Sequence, residues 1–162
     1  MDNSGKIVST DTLVAGLVKA RRAGKRIVFT NGCFDILHVG HVRYLGDARS
    51  AGDLLVVGLN SDSSVRSIKG DRRPLVNQDQ RAEVLASLAC VDYIVVFDEP
   101  EPLRLIRTVR PDILVKGADW AEEKIVGAEF VKSTGGKIMR VELVRDASTT
   151  GIIERILERF CR

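Results

Sequence analysis

Asn31-Gly32-Cys33-Phe34-Asp35-Ile36-Leu37-His38-Val39-Gly40-His41 holds both histidines of the chain, two glycines and a carboxylate. It follows the run Ile27-Val28-Phe29-Thr30, which reads as a buried parallel strand. After it, Val42, Leu45 and Ala48 recur every three residues on a helix, with Gly52 placed for its C-terminal cap. Both histidines therefore fall in the turn between a first strand and a first helix. In an open α/β sheet, ligands bind at such turns.

Two features of the turn suit a polyanion. Backbone N–H groups at a helix start lack intrahelical partners and carry the positive end of the helix dipole. Gly40, between the histidines, lets a ligand approach the main chain. His38 and His41 stand three apart, so on a helical turn they share a face and can grip one group. A neutral imidazole donates one hydrogen bond, and a protonated one adds charge. The phosphates of a nucleotide meet these requirements. Plainer readings stand beside that one. Cys33, His38 and His41 are zinc-ligand types, although no fourth stands at zinc spacing nearby. Cys33 as a nucleophile lacks a separate histidine, and a small residue filling a tight turn explains it equally. Phe34 reads as packing beneath the turn, and Asp35 as a cap on its backbone N–H groups.

Residues 1–10 read as a polar, loose start. An amphipathic helix over 12–23 carries Leu13, Leu17 and Val18 and ends at Gly24. A second strand, 54–59, runs into Asn60-Ser61-Asp62-Ser63-Ser64, which suits a short helix cap facing a ligand. Residues 67–74 form a basic loop of the length lids use, or else a solvated surface turn. A helix over 77–89 buries Ala82, Leu85 and Leu88. Strand three is 93–97, and Pro100 and Pro102 start a helix through 109. Strand four, 113–115, ends in Lys116-Gly117-Ala118-Asp119-Trp120. A helical region over 122–132, closed by Gly135-Gly136, precedes strand five at 138–143. Ser148-Thr149-Thr150 then cap a last helix over 151–160, where Ile152, Ile153, Ile156, Leu157 and Phe160 form one apolar stripe.

Strands alternating with helices predict an α/β fold: a doubly wound, five-stranded parallel sheet, Rossmann-like, with strand order 3-2-1-4-5. The 162 residues make a single domain, with 1–26 as an N-terminal arm and helix and 27–162 as the core. At the switch point the ends of strands one and four lie side by side, which brings Lys116 to Trp120 beside the histidines. The start of the last helix adds a second anion-binding tip over the same crevice. Neither GxxxxGK[ST] nor GxGxxG occurs, so the commoner nucleotide folds gain no support.

A net charge of +3, with arginines in short pairs and only one Trp and two Tyr, argues against a nucleic-acid partner. Three cysteines, scattered at 33, 90 and 161, predict free thiols in a reducing compartment. No signal peptide and no membrane-length apolar run stand in the sequence, which predicts a cytoplasmic protein without a membrane partner.

Gly-Cys-Phe-Asp-Ile-Leu-His-Val-Gly-His resembles the HxGH signature of the nucleotidyltransferase superfamily. Other stretches narrow the likeness: Lys69-Gly70 with Arg73-Pro74, Val91-Asp92-Tyr93, Arg110-Pro111-Asp112-Ile113-Leu114-Val115-Lys116-Gly117, Asp119-Trp120, and Ser148-Thr149-Thr150-Gly151-Ile152-Ile153. Together, over residues 7–160, they resemble the heptose 1-phosphate adenylyltransferases. Some members of that family are fused to a sugar kinase and others stand alone. Glycerol-3-phosphate cytidylyltransferases share the histidine motif, the Gly-x-Asp-Trp corner and a Ser-Thr-Thr end. Their Arg-Thr-Glu-Gly-Ile lead is replaced here by the shorter Arg145-Asp146-Ala147, which disfavours that reading.

The resemblance implies a nucleotidyltransferase fold and an adenylyltransferase. ATP and D-glycero-β-D-manno-heptose 1-phosphate would give ADP-heptose, a precursor of the lipopolysaccharide core, and pyrophosphate. It implies Mg²⁺ accompanying the nucleotide with no protein side chain as its ligand, a homodimer or higher homo-oligomer, and a separate heptose kinase upstream. The alternatives are a CTP-dependent enzyme acting on glycerol 3-phosphate or a similar alcohol phosphate, and a non-catalytic nucleotide-binding module. On the main reading, His41 contacts the α-phosphate and His38 the β,γ-phosphates. Lys69 neutralises the meeting phosphates, with Arg72 or Arg73 as its substitute. Cys33, Phe34, Gly40, Lys116, Gly117 and Asp119 surround the nucleotide, and Ser148, Thr149 and Thr150 hold its β,γ-phosphates. Asn31, Asp35, Arg72, Arg73 and Trp120 are assigned to the sugar phosphate.

Overall fold

The computed structural model describes residues 4–161. Five parallel strands form one sheet in the order β3-β2-β1-β4-β5: β1 Ile27–Gly32, β2 Leu54–Asn60, β3 Tyr93–Phe97, β4 Ile113–Gly117 and β5 Lys137–Val141. This is the expected order. It places the first strand centrally, paired with β2 from Ile27↔Leu54 to Gly32↔Leu59 and with β4 at Val28↔Ile113 and Phe29↔Leu114.

Alternation along the strands divides the core into two layers. Val28, Leu55, Val57 and Leu59 pack with Leu45 and Ala48 of α2 (Val39–Ser50) and Ala82 and Leu85 of α4 (Gln78–Ala86). Ile27, Phe29 and Val56 face the other way, onto Leu13 and Leu17 of α1 (Thr10–Arg22), Leu105 and Ile106 of α5 (Leu103–Val109) and Val131 of α6 (Ala128–Ser133). The remaining helices are α3 (Asp62–Lys69) and α7 (Thr149–Phe160).

Several details depart from the sequence reading. Val42 is exposed, and Tyr44 takes the buried place beside Leu45, because a stripe of period 3.6 drifts off a strict count of three. Val18 is likewise exposed, and Ala20 is buried instead. Gly52 follows the Ala51 cap, and its need for glycine is steric: a Cβ would meet Val28 Cγ2 at 2.6 Å. The basic stretch 67–74 is partly helical, since α3 runs to Lys69. α4 stops at Ala86, short of 89, α5 starts only at Leu103, and β5 ends at Val141. The helical region 122–132 divides into a 3₁₀ turn, Glu122–Lys124, and α6. The start of the chain is not loose throughout: a 3₁₀ turn spans Ser4–Lys6, and Ile7 bridges Ile94 at the free edge of β3. That pairing covers an edge that would otherwise offer open N–H and C=O groups. Residues 1–3 of the expected loose segment lie outside the described residues.

The apolar stripe of α7 is not a core face. No residue of this helix is buried, and Ile156, Leu157 and Phe160 are exposed. Periodicity defines a face but not what covers it. Among the described residues, no helix is long and apolar enough to cross a membrane, and Cys33, Cys90 and Cys161 are free thiols.

Candidate functional site

The C-terminal ends of β1 and β4 open into a cavity of about 720 Å³. Its floor begins with the turn after β1. Phe34 adopts φ +44°, a left-handed conformation uncommon for a side chain of its size. Its ring lies back over Gly32 and meets the His41 ring edge-on, centroids 5.2 Å apart. Asp35 is 4% exposed and turned away from open solvent. Its carboxylate accepts from the N–H groups of Leu75 (2.8 Å) and Val76 (2.9 Å) and from Arg73 Nε (2.5 Å). Burial alone would raise its pKa. The Val76, Leu75 and Arg73 hydrogen bonds outweigh that and hold it below the usual value. Asp35 does cap backbone N–H groups, but in a segment forty residues away rather than in its own turn.

His38 is the N-cap of α2, with extended backbone (φ −142°, ψ 171°) and no capping hydrogen bond from its side chain. It stacks on His41 with ring centroids 3.8 Å apart and planes 23° from parallel. The space above Gly40 is filled by the His38 ring and the Ala147 carbonyl, which a Cβ would meet at 2.9 and 3.2 Å. Glycine there lets the imidazole fold over the helix start and lets the segment before α7 approach it. Burial lowers the pKa of His38, and burial with the neighbouring His38 lowers that of His41 to about 4. Both rings are therefore neutral at pH 7. The Nδ1 atoms of both are buried and have no hydrogen-bond partner. Buried polar atoms are rarely left so unless a ligand or water supplies the partner.

On the β4 side, Lys116 Nζ donates to Asn31 Oδ1 at 2.6 Å and has no carboxylate partner in the hydrogen-bond network. Burial lowers its pKa to about 8, against the opposing pull of Cys33 and Asp119. Burial likewise raises the pKa of the Cys33 thiol, despite Lys69, Arg81 and Arg73 nearby. A protonated thiol fits the small-residue reading better than the nucleophile. The zinc reading gains nothing: among the described residues, no three His, Cys, Asp or Glu side chains are grouped to hold a metal.

Opposite the histidines stands the start of α7, capped by Ser148, whose Oγ accepts from Gly151 N at 3.0 Å. Thr149 Oγ1 donates to the Ile36 carbonyl at 3.3 Å, tying this helix tip to the histidine turn. Ser148, Thr149 and Thr150 all line the cavity, as do Gly117, Asp119 and Trp120. Lys69 and Arg73 reach its wall, whereas Arg72 is exposed and outside it. A shallower hollow along α5, lined by Glu99, Arg104 and Arg107 among others, carries no histidine.

Residues 29–155 match the cytidylyltransferase-like family. The chain belongs to that family. Bifunctional protein HldE of Syntrophotalea carbinolica is 56% identical over 160 residues, covering 99% of this chain and 33% of that protein. Bifunctional protein HldE of Geotalea uraniireducens is 58% identical over 156 residues, 96% of this chain and 32% of that one. The chain thus spans about a third of the length of these curated relatives. The lipopolysaccharide core biosynthesis protein of Thermoplasma volcanium superposes with a TM-score of 0.59 at 30% identity, over 75% of this chain and 98% of that one. A Francisella tularensis pantoate-beta-alanine ligase, crystallised with a β,γ ATP and β-alanine, superposes at TM-score 0.59 and 18% identity, over 96% and 79% of the two chains. That likeness shows the fold alone, a Rossmann-like α/β one. The cavity also holds Tyr44, which the sequence did not single out, and Asn60, which it placed facing a ligand. Tyr44 Oη lies 2.7 Å from Thr30 Oγ1, donates to the Val115 carbonyl at 3.0 Å, and so pins α2 across β1 and β4. Asn60 is buried at the end of β2 and donates to Ser64 Oγ at 2.9 Å.

Proposed function

We propose that this chain transfers AMP from ATP to D-glycero-β-D-manno-heptose 1-phosphate, forming ADP-heptose and pyrophosphate. The observation that carries the reading is the stacked pair of neutral imidazoles, each with a buried, unpartnered Nδ1, between two helix tips. Such a site offers hydrogen-bond donors and dipoles to a polyphosphate without charge of its own at the rings. The resemblance of the motifs to heptose 1-phosphate adenylyltransferases supplies the choice of acceptor, and the similarity to a lipopolysaccharide core biosynthesis protein supports it.

The sugar phosphate oxygen attacks the α-phosphorus in line, a bond to the α-phosphate forms as the bond to the β-phosphate bridge breaks, and pyrophosphate leaves with the electron pair. Catalysis is positioning and charge stabilisation. His41, the deeper ring, meets the α-phosphate. His38 with Ser148, Thr149 and Thr150 meets the β,γ-phosphates. Lys116 and Lys69 bring positive charge to where the two phosphates meet, and Arg73, already paired with Asp35, borders the acceptor. Asp35 is fully engaged, and Glu101 and Asp119 are the other carboxylates on the wall; a Mg²⁺ would arrive with the phosphates, without a protein side chain as its ligand, and would neutralise phosphate charge. A heptose kinase supplies the acceptor, and the reaction belongs to the cytoplasm. Incubation with ATP or CTP and a panel of sugar and alcohol phosphates, read by pyrophosphate release, tests the reading. ATP with heptose 1-phosphate is the expected productive pair. Turnover only with CTP and glycerol 3-phosphate would transfer the chain to the alternative, and binding without turnover would leave a nucleotide-binding module.

Lys116 adds a pH dependence. Its ammonium is charged below about 8 and loses the charge above it, whereas the second ionisation of a phosphate has its midpoint near pH 6 and is nearly complete by about pH 7. kcat/KM, which reports the free enzyme, should therefore fall above pH 8. Lys116→Arg keeps a cation throughout and should flatten that limb. A limb unchanged in the variant would assign it to another group.

A further inference from the structure

Arg81 is 2% exposed, the largest of the side chains withdrawn from solvent, and it sits on the buried stripe of α4 one turn before Leu85. A buried guanidinium is tolerated only when its N–H groups find acceptors. Its Nε donates to the Val76 carbonyl at 2.9 Å and its Nη2 to Asp62 Oδ1 at 2.7 Å. Its Nη1 donates to the Cys33 carbonyl. None of these acceptors belongs to α4. Cys33 is in the turn after β1, Asp62 opens the helix that ends at Lys69, and Val76 lies in the segment clasped by Asp35. Asp62 is fixed in return by its own N–H, which donates to Gln78 Oε1 at 3.0 Å. Arg81 is not among the residues lining the cavity, so it acts on whatever binds there through others.

We propose that Arg81 is a positioning residue for the transfer, holding the Cys33 carbonyl so that Phe34 keeps its left-handed backbone and its ring stays against His41. The inference rests on the phosphate-site reading above. The Cys33 carbonyl lies in the peptide plane that enters Phe34, so an anchor on that oxygen constrains the φ rotation that follows. A non-glycine residue stays in that region only where its surroundings enforce it. The guanidinium is planar and rigid, so three bonds to three segments set directions as well as distances. Through Val76 and Asp62 the same group keeps the Lys69–Arg73 wall in register with the histidine turn.

The test uses the fact that the chain has only two histidines. Arg81→Lys keeps the charge but loses the fork. Its kcat should fall about a hundredfold, the cost of displacing reacting groups by roughly 1 Å. The imidazole ¹⁵N titrations of His38 and His41 should move at least about half a unit towards the ordinary histidine value. Asp62→Asn leaves Arg81 in place and should give the same changes in smaller measure; if Arg81→Lys does not fold, this variant decides. Leu17→Ala, in the core layer across the sheet, supplies a destabilised control whose histidine titrations stay put. Arg81→Lys or Asp62→Asn melting earlier with both titrations and kcat unmoved would overturn the proposal and leave Arg81 a strut. If the wild type releases no pyrophosphate while the titrations still shift, the transfer reading fails and the hold on the turn stands.

Discussion

His41→Ala is expected to lower kcat at least about a hundredfold while the protein stays folded. Removing one preorganised donor to developing charge costs roughly 2.7–4 kcal/mol. The His41 ring is the deeper of the stacked pair, and its pKa is pushed down to about 4, so at neutral pH it contributes a donated N–H rather than a charge. Two consequences separate this role from packing. The ring makes no hydrogen bond that holds the fold, because its Nδ1 has no partner, so the melting temperature should change little. An amide side chain restores a donor, so His41→Asn should recover about fivefold over the alanine variant, one hydrogen bond of about 1 kcal/mol. Pyrophosphate release and circular dichroism on the same samples check both. Near-normal release from His41→Ala would remove the ring from the reaction.

The sheet order and the place of the histidine turn were legible because both follow from local pattern: β-branched runs alternate with helical periods, and a central first strand brings β4 beside β1. Lys116 and Thr149 could be placed in one crevice from that topology alone. What escaped the reading needs contacts between distant segments. Asp35 looks like a turn cap, yet its acceptor capacity is taken by Arg73, Leu75 and Val76. Arg81 stands four residues before Leu85, a charged residue on an apolar stripe; that anomaly was visible, but its three acceptors lie in segments the period does not connect. Along α7 the pattern was sound and the inferred burial was not, because amphipathicity says nothing of whether a neighbouring surface exists.

Asp35→Ala should be the most destabilising substitution within the site. The carboxylate is nearly inaccessible and satisfies two backbone N–H groups and a guanidinium whose side chain is itself only 19% exposed. Its removal leaves those donors facing an apolar methyl. Breaking a buried ion pair from one side costs about 3–5 kcal/mol, and at this chain length each kcal/mol moves Tm by roughly 2–4 °C. A fall of about 10 °C at pH 7 is therefore expected. The sign with pH follows from linkage. The folded-state pKa of Asp35 lies below its unfolded value, so its contribution is complete above about pH 4 and fades as pH falls through the folded value. Wild type and Asp35→Ala should separate fully by pH 5 and draw together in Tm as pH falls below about 4. The basic wall should loosen as well, since Arg73 and the Leu75–Val76 backbone lose their anchor, and KM for the sugar phosphate should rise. A variant that melts with the wild type at pH 7 yet loses turnover would show that this carboxylate serves the substrate directly, and that the clasp on the basic segment contributes nothing to the fold.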